Sequence, residues 1–133
     1  MDWKLEVVVV PVSDVDRAKL FYEEQGGFTV DHDTRIRDGV RVVQLTPPGS
    51  GCSIVVGVGL TEAPPGSMKG LQLVVPDVAR AHAELVARGV EVSPVQHFAD
   101  GERVDGHGGD WNSFVFFNDP DGNGWAVQES PRR

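Results

Sequence analysis

The segment Val12–Ala18 reads Val-Ser-Asp-Val-Asp-Arg-Ala, and it is the key to the architecture because it occurs a second time in the chain. Val75–Ala81 reads Val-Pro-Asp-Val-Ala-Arg-Ala and repeats five of those seven residues at a shift of 63. The same shift places Gly26 on Gly89, and a short apolar run precedes each copy. Self-similarity at a fixed spacing is the signature of a duplicated structural unit. The sequence therefore predicts two copies of one supersecondary unit.

The first copy has the pattern of a capped helix. Ser13 or Asp14 can accept hydrogen bonds from the free amides of the first helical turn. Gly26 or Gly27 permits the left-handed conformation that commonly ends a helix. Together these signals predict a helix over residues 15–25.

The second copy predicts a similar helix, which Asp77 caps and Gly89 ends. Three strands are expected after each helix, bounded by glycine and proline turns. A longer segment, residues 99–110, separates two of them, and residues 61–67 form a linker. We expect one domain over residues 1–133, with modules at about 4–60 and 68–130. The expected strands are residues 28–35, 40–46 and 52–58 in the first half, and 90–98, 111–117 and 123–128 in the second.

The composition excludes several classes of partner. With 20 acidic and 12 basic residues, the net charge of -8 argues against nucleic acid and favours a cationic ligand. Cys52 is the only cysteine, which excludes an internal disulfide and a cysteine-based zinc cluster and fits a reducing compartment. The apolar run near the N-terminus is too short for a membrane span and lacks a signal-peptide pattern. We therefore expect a cytoplasmic protein that binds no membrane.

Two motifs carry a resemblance to a known family: PVSDVDRAKLFYEEQGGF at residues 11–28, and DPDGNGWAVQE at residues 119–129. A duplicated βαβββ unit with these motifs resembles the vicinal oxygen chelate superfamily, also called the glyoxalase, bleomycin resistance protein and dioxygenase family. The resemblance implies an α+β fold in which two tandem βαβββ modules form curved sheets around a cup. It also implies a homodimer, because a second subunit commonly completes the cups of this fold.

Metalloenzymes that this chain resembles place a histidine seven residues before the aspartate that opens each helix, and a glutamate on the last strand of each module. The matching histidine positions here are Val7 and Gly70. Six residues after each turn proline, the matching glutamate positions are Ile54 and Ala126. None of these side chains can bind a metal ion, whereas a catalytic ion usually needs three protein ligands. We therefore expect no metal site of the usual kind and no cofactor.

The same positions, and those two residues away on the same strand face, are the candidate ligand-binding site. Apolar side chains leave room for a molecule, glutamine amides fix its polar groups, and aromatic side chains stack on it. The candidates are Val7, Val9, Cys52, Ile54, Gln72, Trp111, Phe114, Phe116, Ala126 and Gln128. No catalytic residue is assigned.

Residues 96–111, QHFADGERVDGHGGDW, hold several groups able to bind metal ions, but their spacing matches no ligand motif. We expect a solvated loop; the functional alternative is a lid, with Phe98 or Trp111 closing on a ligand. Metal-independent binding of a small, cationic aromatic molecule is the preferred function. The alternative is a lyase, isomerase or dioxygenase with a metal site relocated to this loop. A third hypothesis is an interaction module without a ligand.

Overall fold

The structure, a computed structural model, describes residues 1–131. This part of the chain contains two α-helices, α1 (Val15–Leu20) and α2 (Val78–Ala87), and a π-helical turn at Phe21–Gln25 that continues α1. The strands are β1 (Val7–Val9), β2 (Thr29–Arg37), β3 (Val40–Thr46), β4 (Ser53–Val58), β5 (Leu71–Val75), β6 (Gln96–Ala99), β7 (Glu102–Asp105), β8 (Phe114–Asn118) and β9 (Gly124–Glu129).

The chain divides into two compact units. Unit 1 is Met1–Met68 with Asp119–Asn123, and unit 2 is Lys69–Asn118 with the chain from Gly124 onward. Unit 1 has a four-stranded sheet in the order β1-β4-β3-β2, and unit 2 has a five-stranded sheet in the order β5-β9-β8-β6-β7. In each sheet the first strand pairs in parallel with the last, and the other pairs are antiparallel. The predicted α+β fold with two βαβββ modules is confirmed.

The first helix begins and ends as its sequence predicts. The Asp14 carboxylate accepts a hydrogen bond from the Arg17 amide at 3.0 Å. Gly27, at φ +73°, takes the left-handed conformation, whereas a Cβ atom on Gly26 would lie 2.8 Å from the Tyr22 carbonyl oxygen. The π-helical turn holds one residue more than an α-helical turn would. After α2 the left-handed glycine is Gly89. The extra residue in the π-helical turn explains why its counterpart in the first copy is Gly27, one position later than the shift of 63 predicts.

The segment predicted as a long loop, residues 99–110, contains a strand instead. Asp100 and Gly101 have φ angles of +53° and +79°, and they join β6 to β7 as a two-residue hairpin turn. Positive φ at both central positions defines the hairpin turn whose right-handed twist matches the strands, and Asp-Gly is among its preferred sequences. The predicted strand 90–98 is also shorter than expected, because Pro94 has no amide hydrogen to donate and pairing resumes only at Gln96.

The hydrophobic core of each unit lies between its helix and one face of its sheet. In unit 1, α1 packs against β3 and β4, whose side chains alternate between the two faces. Val43, Leu45 and Val56 are fully buried on the helix face. In unit 2, α2 packs against β8 and β9, and Val115 and Val127 are the buried side chains on the helix face.

The turn at Asp119–Asn123 is held within unit 1 by buried polar contacts. Asp119 is 5% exposed and accepts hydrogen bonds from the Tyr22 hydroxyl at 2.8 Å and from the Asn123 side-chain amide at 2.8 Å. The Asn123 amide also donates to the Pro11 carbonyl at 2.8 Å. Buried polar groups are costly unless they are hydrogen-bonded, and here each has a partner. The DPDGN sequence is therefore a structural turn.

Within residues 1–131, neither helix has the length and apolar character needed to cross a membrane.

Candidate functional site

Five of the predicted site residues lie on one face of the sheet of unit 2, opposite the face that packs against α2. On β8 and β9, Phe116 is the cross-strand partner of Ala126, and Phe114 is the partner of Gln128. Gln72 on β5 pairs with Ala126 from the other side. Directly opposite residues share a sheet face, so these five side chains form one surface. We call it the open face of unit 2.

Three phenylalanine rings form the apolar part of the open face. The Phe114 and Phe116 rings stack with centroids 5.8 Å apart. Phe98 on β6 packs edge-on against them, with centroid distances of 5.4 Å to Phe114 and 6.2 Å to Phe116. Phe98 is 44% exposed, which leaves aromatic surface available for contact. Such a cluster suits a flat organic molecule, because offset and edge-on ring contacts are both favourable.

Trp111 lies beside this cluster in a conformation that is rare for a non-glycine residue. Its φ angle is +61°, and its side chain is 50% exposed. The Gln128 amide donates to its carbonyl oxygen at 2.8 Å, and the Gln72 amide donates to the Gln128 side-chain oxygen at 2.7 Å. Both predicted glutamines are thus engaged with their neighbours. Strained backbone of this kind is often found at binding sites.

A cavity of about 390 Å³ borders the open face. It contains two of the predicted site residues, Phe116 and Ala126, together with Gly70. The remaining lining residues are Glu91, Ser93, Arg103, Phe117, Asn118, Gly124 and Trp125. Its volume lies within the range of about 300–1,000 Å³ that is usual for small-molecule sites.

The resemblance to metalloenzymes implies that the metal ligands of this unit would border the cavity. Gly70 and Ala126 are the matching positions, and an added Cβ atom on Gly70 would meet no heavy atom within 4 Å. The hydrogen atom of Gly70 and the methyl group of Ala126 cannot bind a metal ion, and they leave this part of the cavity free of larger side chains. The residues present do not fit a metal ion of the usual kind.

Sequence reasoning missed the charged residues of the cavity, Arg103 and Glu91. Arg103 lies on β7 opposite Phe98, and its guanidinium carbon is 4.1 Å from the centroid of the Phe116 ring. The Asp100-Gly101 dipeptide was the signal that could have found it. A two-residue hairpin loop at that dipeptide pairs Phe98 with Arg103 and sets both on one face.

The predicted site residues of unit 1 are divided between two faces. Val7 and Val9 on β1 pair with Ser53 and Val55 and share a face with them. Ile54 points to the opposite face, is 4% exposed, and belongs to the core beside α1. Cys52 precedes β4 and is half-buried. The structure therefore does not bring these four side chains together.

The matching of Ile54 to Ala126 was wrong by one residue. Val8 pairs with Ile54, and Leu71 pairs with Trp125, so Ile54 corresponds to Trp125. The connection between β3 and β4 has six residues, whereas the connection between β8 and β9 has five, and this difference shifts the last strand. A shift of one residue turns a strand side chain to the other face. Val55 is the true counterpart of Ala126, and it also lacks a donor atom.

The acidic and histidine side chains of residues 96–111 are dispersed by the hairpin. His97 pairs with Val104 on one face, while Asp105 pairs with Gln96 on the other. The His97 ring contacts the Gly106 carbonyl oxygen at 2.8 Å, and Gln96 donates to Asp105 at 3.0 Å. Across residues 1–131, no group of three or more His, Cys, Asp or Glu side chains is placed to hold a metal ion.

Fold and site together define a two-module α+β protein with a cavity whose expected metal positions hold small side chains. The sequence profile of the Glyoxalase/Bleomycin resistance protein/Dioxygenase superfamily matches residues 4–127, and the chain belongs to this superfamily. The comparison with curated proteins gave no match.

Three solved structures illustrate what this chain is similar to. TnmS3, an antibiotic binding protein from Streptomyces sp. CB03234, is 33% identical over 98% of this chain and 98% of its own, with a TM-score of 0.78. A glyoxalase/bleomycin resistance protein from the same organism is 34% identical over 95% of this chain and 100% of its own, with a TM-score of 0.75. A superfamily member from Sphaerobacter thermophilus DSM 20745 is 27% identical over 97% and 98%, with a TM-score of 0.76.

Proposed function

We propose that this protein binds a planar aromatic small molecule in the cavity of unit 2, without a metal ion. The observation that carries the proposal is the 390 Å³ space above Gly70 and Ala126, bordered by the Phe116 ring. Where a metalloenzyme of the superfamily would hold an ion, this chain leaves room for an organic molecule. Phe98 and Phe114 extend the aromatic surface beyond the cavity.

The similarity to TnmS3 supports an antibiotic as the ligand class. That protein is an antibiotic binding protein, and it is 33% identical to this chain over nearly all of both. Function within a fold depends on the site rather than on the architecture, so the chemistry of the cavity is the stronger argument.

The proposed setting is the cytoplasm. Cys52 is the only cysteine, and a half-buried free thiol is compatible with a reducing compartment. We propose two partners for this chain. One is a small organic molecule, and the other is a second copy of the chain, with which it forms a homodimer.

Tryptophan fluorescence tests the proposal, because Trp125 lines the cavity. The purified protein is titrated with bleomycin and with daunorubicin, a planar anthraquinone that carries an amine. We expect saturable quenching by the planar compound. An Ala126→Phe variant should bind at least about tenfold more weakly, because the added ring fills the cavity.

Val104→Phe is the matched control for this substitution. Val104 lies on β7, is 42% exposed, and is not part of the cavity. The control variant should bind like the unmodified protein, and both variants should keep its circular dichroism spectrum. Equal affinity in Ala126→Phe and the unmodified protein would place the ligand elsewhere, and no quenching by any planar compound would overturn the proposal.

The alternative function is a metal-dependent lyase, isomerase or dioxygenase that uses relocated ligands. No observation on the described residues favours it, since His97 and Asp105 face opposite sides of the β6–β7 hairpin. Elemental analysis of untagged protein grown with added zinc, iron and manganese addresses this alternative directly. One equivalent of tightly held metal per chain would favour it.

A further inference from the structure

Arg103 is the one residue of the cavity lining that carries a positive charge. Its guanidinium carbon lies over the Phe116 ring, 4.1 Å from the ring centroid. Within the described chain, the guanidinium takes part in no ion pair and no side-chain hydrogen bond. A cation–π contact orders a guanidinium through its face and leaves the N–H groups at its edge free.

We propose that Arg103 selects a ligand that bears an anionic group, such as a carboxylate or an ionised phenol, on a planar ring. The inference rests on the proposed binding function and adds the charge of the ligand to it. A carboxylate in the plane of the guanidinium would accept two parallel hydrogen bonds, the geometry for which arginine is suited. The ring that carries the carboxylate would then extend over Ala126 toward the Phe114–Phe116 stack.

Glu91 sets the polarity of the other part of the cavity. Glu91 lines the same space, yet no ion pair joins it to Arg103. Because the two charges are apart, each is available to a ligand group of opposite sign or to a donor such as a hydroxyl. A planar acid with a hydroxyl or amine at its far end matches both charges.

The net charge of the chain does not decide the sign of the ligand. The value of -8 is a sum over 20 acidic and 12 basic side chains, most of them on the surface. Charges farther away than a Debye length, about 8 Å at physiological ionic strength, are screened. A guanidinium in contact with the ligand is not screened in this way. The sign of the ligand is therefore set by the charges inside the cavity, of which Arg103 is the one placed over the Phe116 ring.

Three probes of one shape separate charge from ring stacking. Anthracene-9-carboxylate, anthracene-9-carboxamide and 9-(aminomethyl)anthracene share a planar ring and differ in charge. Each is titrated at pH 7 and 0.15 M salt, with the quenching of tryptophan fluorescence as the readout. The unmodified protein should bind the carboxylate about tenfold more tightly than the carboxamide, since a charge-assisted hydrogen bond is stronger than a neutral one. The aminomethyl probe should bind more weakly than the carboxylate, because its amine cannot pair with Arg103.

Arg103→Gln should abolish the preference for the carboxylate over the carboxamide, because the glutamine side chain carries no charge. Arg37→Gln is the matched control, because it removes the same charge from an exposed position on β2 that does not line the cavity. Equal binding of all three probes to the unmodified protein would overturn the inference and leave the proposed function standing. A carboxylate preference that survives in Arg103→Gln would also overturn it. Failure of all three probes to bind would overturn both.

Discussion

At the scale of single residues, Asp33 makes the stability of unit 1 depend on pH. Its carboxylate accepts two hydrogen bonds from Arg41, at 2.9 and 2.8 Å, and one from Lys19 at 3.0 Å. The hydrogen bonds from Arg41 hold the pKa of Asp33 well below its usual value of 3.8, although partial burial acts in the opposite direction. The same pair raises the pKa of the Arg41 guanidinium.

Asp33→Asn should lower the free energy of unfolding at pH 7 by about 1–2 kcal/mol, because the side chain is only 25% exposed and loses two charged partners. A carboxylate whose pKa is depressed by folding stabilises the protein above its unfolded pKa. That contribution is lost as the pH falls below about 4 toward the lower folded value. The difference between the two proteins should therefore shrink in urea unfolding curves measured from pH 6 down to pH 2.5.

Asp38→Asn is the control for that experiment. Asp38 lies in the exposed turn before β3, and its carboxylate makes no ion pair or side-chain hydrogen bond within residues 1–131. This variant should stay within about 0.5 kcal/mol of the unmodified protein at every pH. A stability difference for Asp33→Asn that stays constant from pH 6 to pH 2.5 would contradict the assigned role.

Ala126 and Ile54 show how far the sequence could predict the site. Counting six residues from each turn proline found Ala126, which does line the cavity, but the same count gave Ile54, which lies on the other face of its strand. The count assumes connections of equal length, and the one before β4 is a residue longer than the one before β9. A hydrophobic core position and an open-face position both accept an apolar residue, so the pattern alone could not reveal the error.

At the scale of elements, the β6–β7 hairpin brings Arg103 to the cavity. Its pairing places Arg103 opposite Phe98, and the Asn112 side chain fixes Phe98 through hydrogen bonds of 2.8 and 3.0 Å to its backbone amide and carbonyl. Residues 99–110 contain four glycines and were expected to form a loop. Gly101 is instead a turn residue, and composition alone does not distinguish a hairpin turn from a loop without the flanking strand pattern.

Gly101→Ala should loosen this hairpin. Gly101 has φ +79° and no atom within 4 Å of an added Cβ, so the cost is conformational and amounts to about 1 kcal/mol. Amide hydrogen exchange of residues 97–105 should accelerate, and the preference for anthracene-9-carboxylate should fall as Arg103 becomes less ordered. Gly109→Ala is the matched control, because Gly109 has the same free space without a positive φ. Equal exchange rates in the two variants would contradict the role given to the turn.

At the scale of the whole molecule, the duplicated architecture was the most predictable feature. The repeat of Val12–Ala18 predicted both helices and their caps, and Asp14 and Asp77 each accept the expected amide hydrogen bond. Cap and periodicity signals are local, so a single sequence carries them. The extra strand β7 and the charges of the cavity depend on register between strands, which local signals determine only weakly.

The homodimer implied by the family resemblance stays a prediction of the whole molecule. Large apolar side chains near the N-terminus are exposed in the single chain, with Trp3 at 88% and Leu5 at 69%. Burial of such surface stabilises an interface by roughly 25 cal/mol for each Å². Sedimentation equilibrium at several protein concentrations should give a mass of twice 14.4 kDa. The double variant Trp3→Lys, Leu5→Lys should sediment with the mass of one chain if these side chains form the interface.

Ligand stoichiometry separates the dimer from the binding site. The residues of the cavity all come from unit 2 of a single chain, so each chain should bind one molecule of anthracene-9-carboxylate whether or not it is paired. A mass of 14.4 kDa at every concentration would contradict the dimer and leave the cavity unaffected. If the lysine double variant is monomeric and no longer binds the probe, the second subunit must contribute to the site. If it is monomeric and binds one equivalent with unchanged affinity, the cavity of one chain is sufficient.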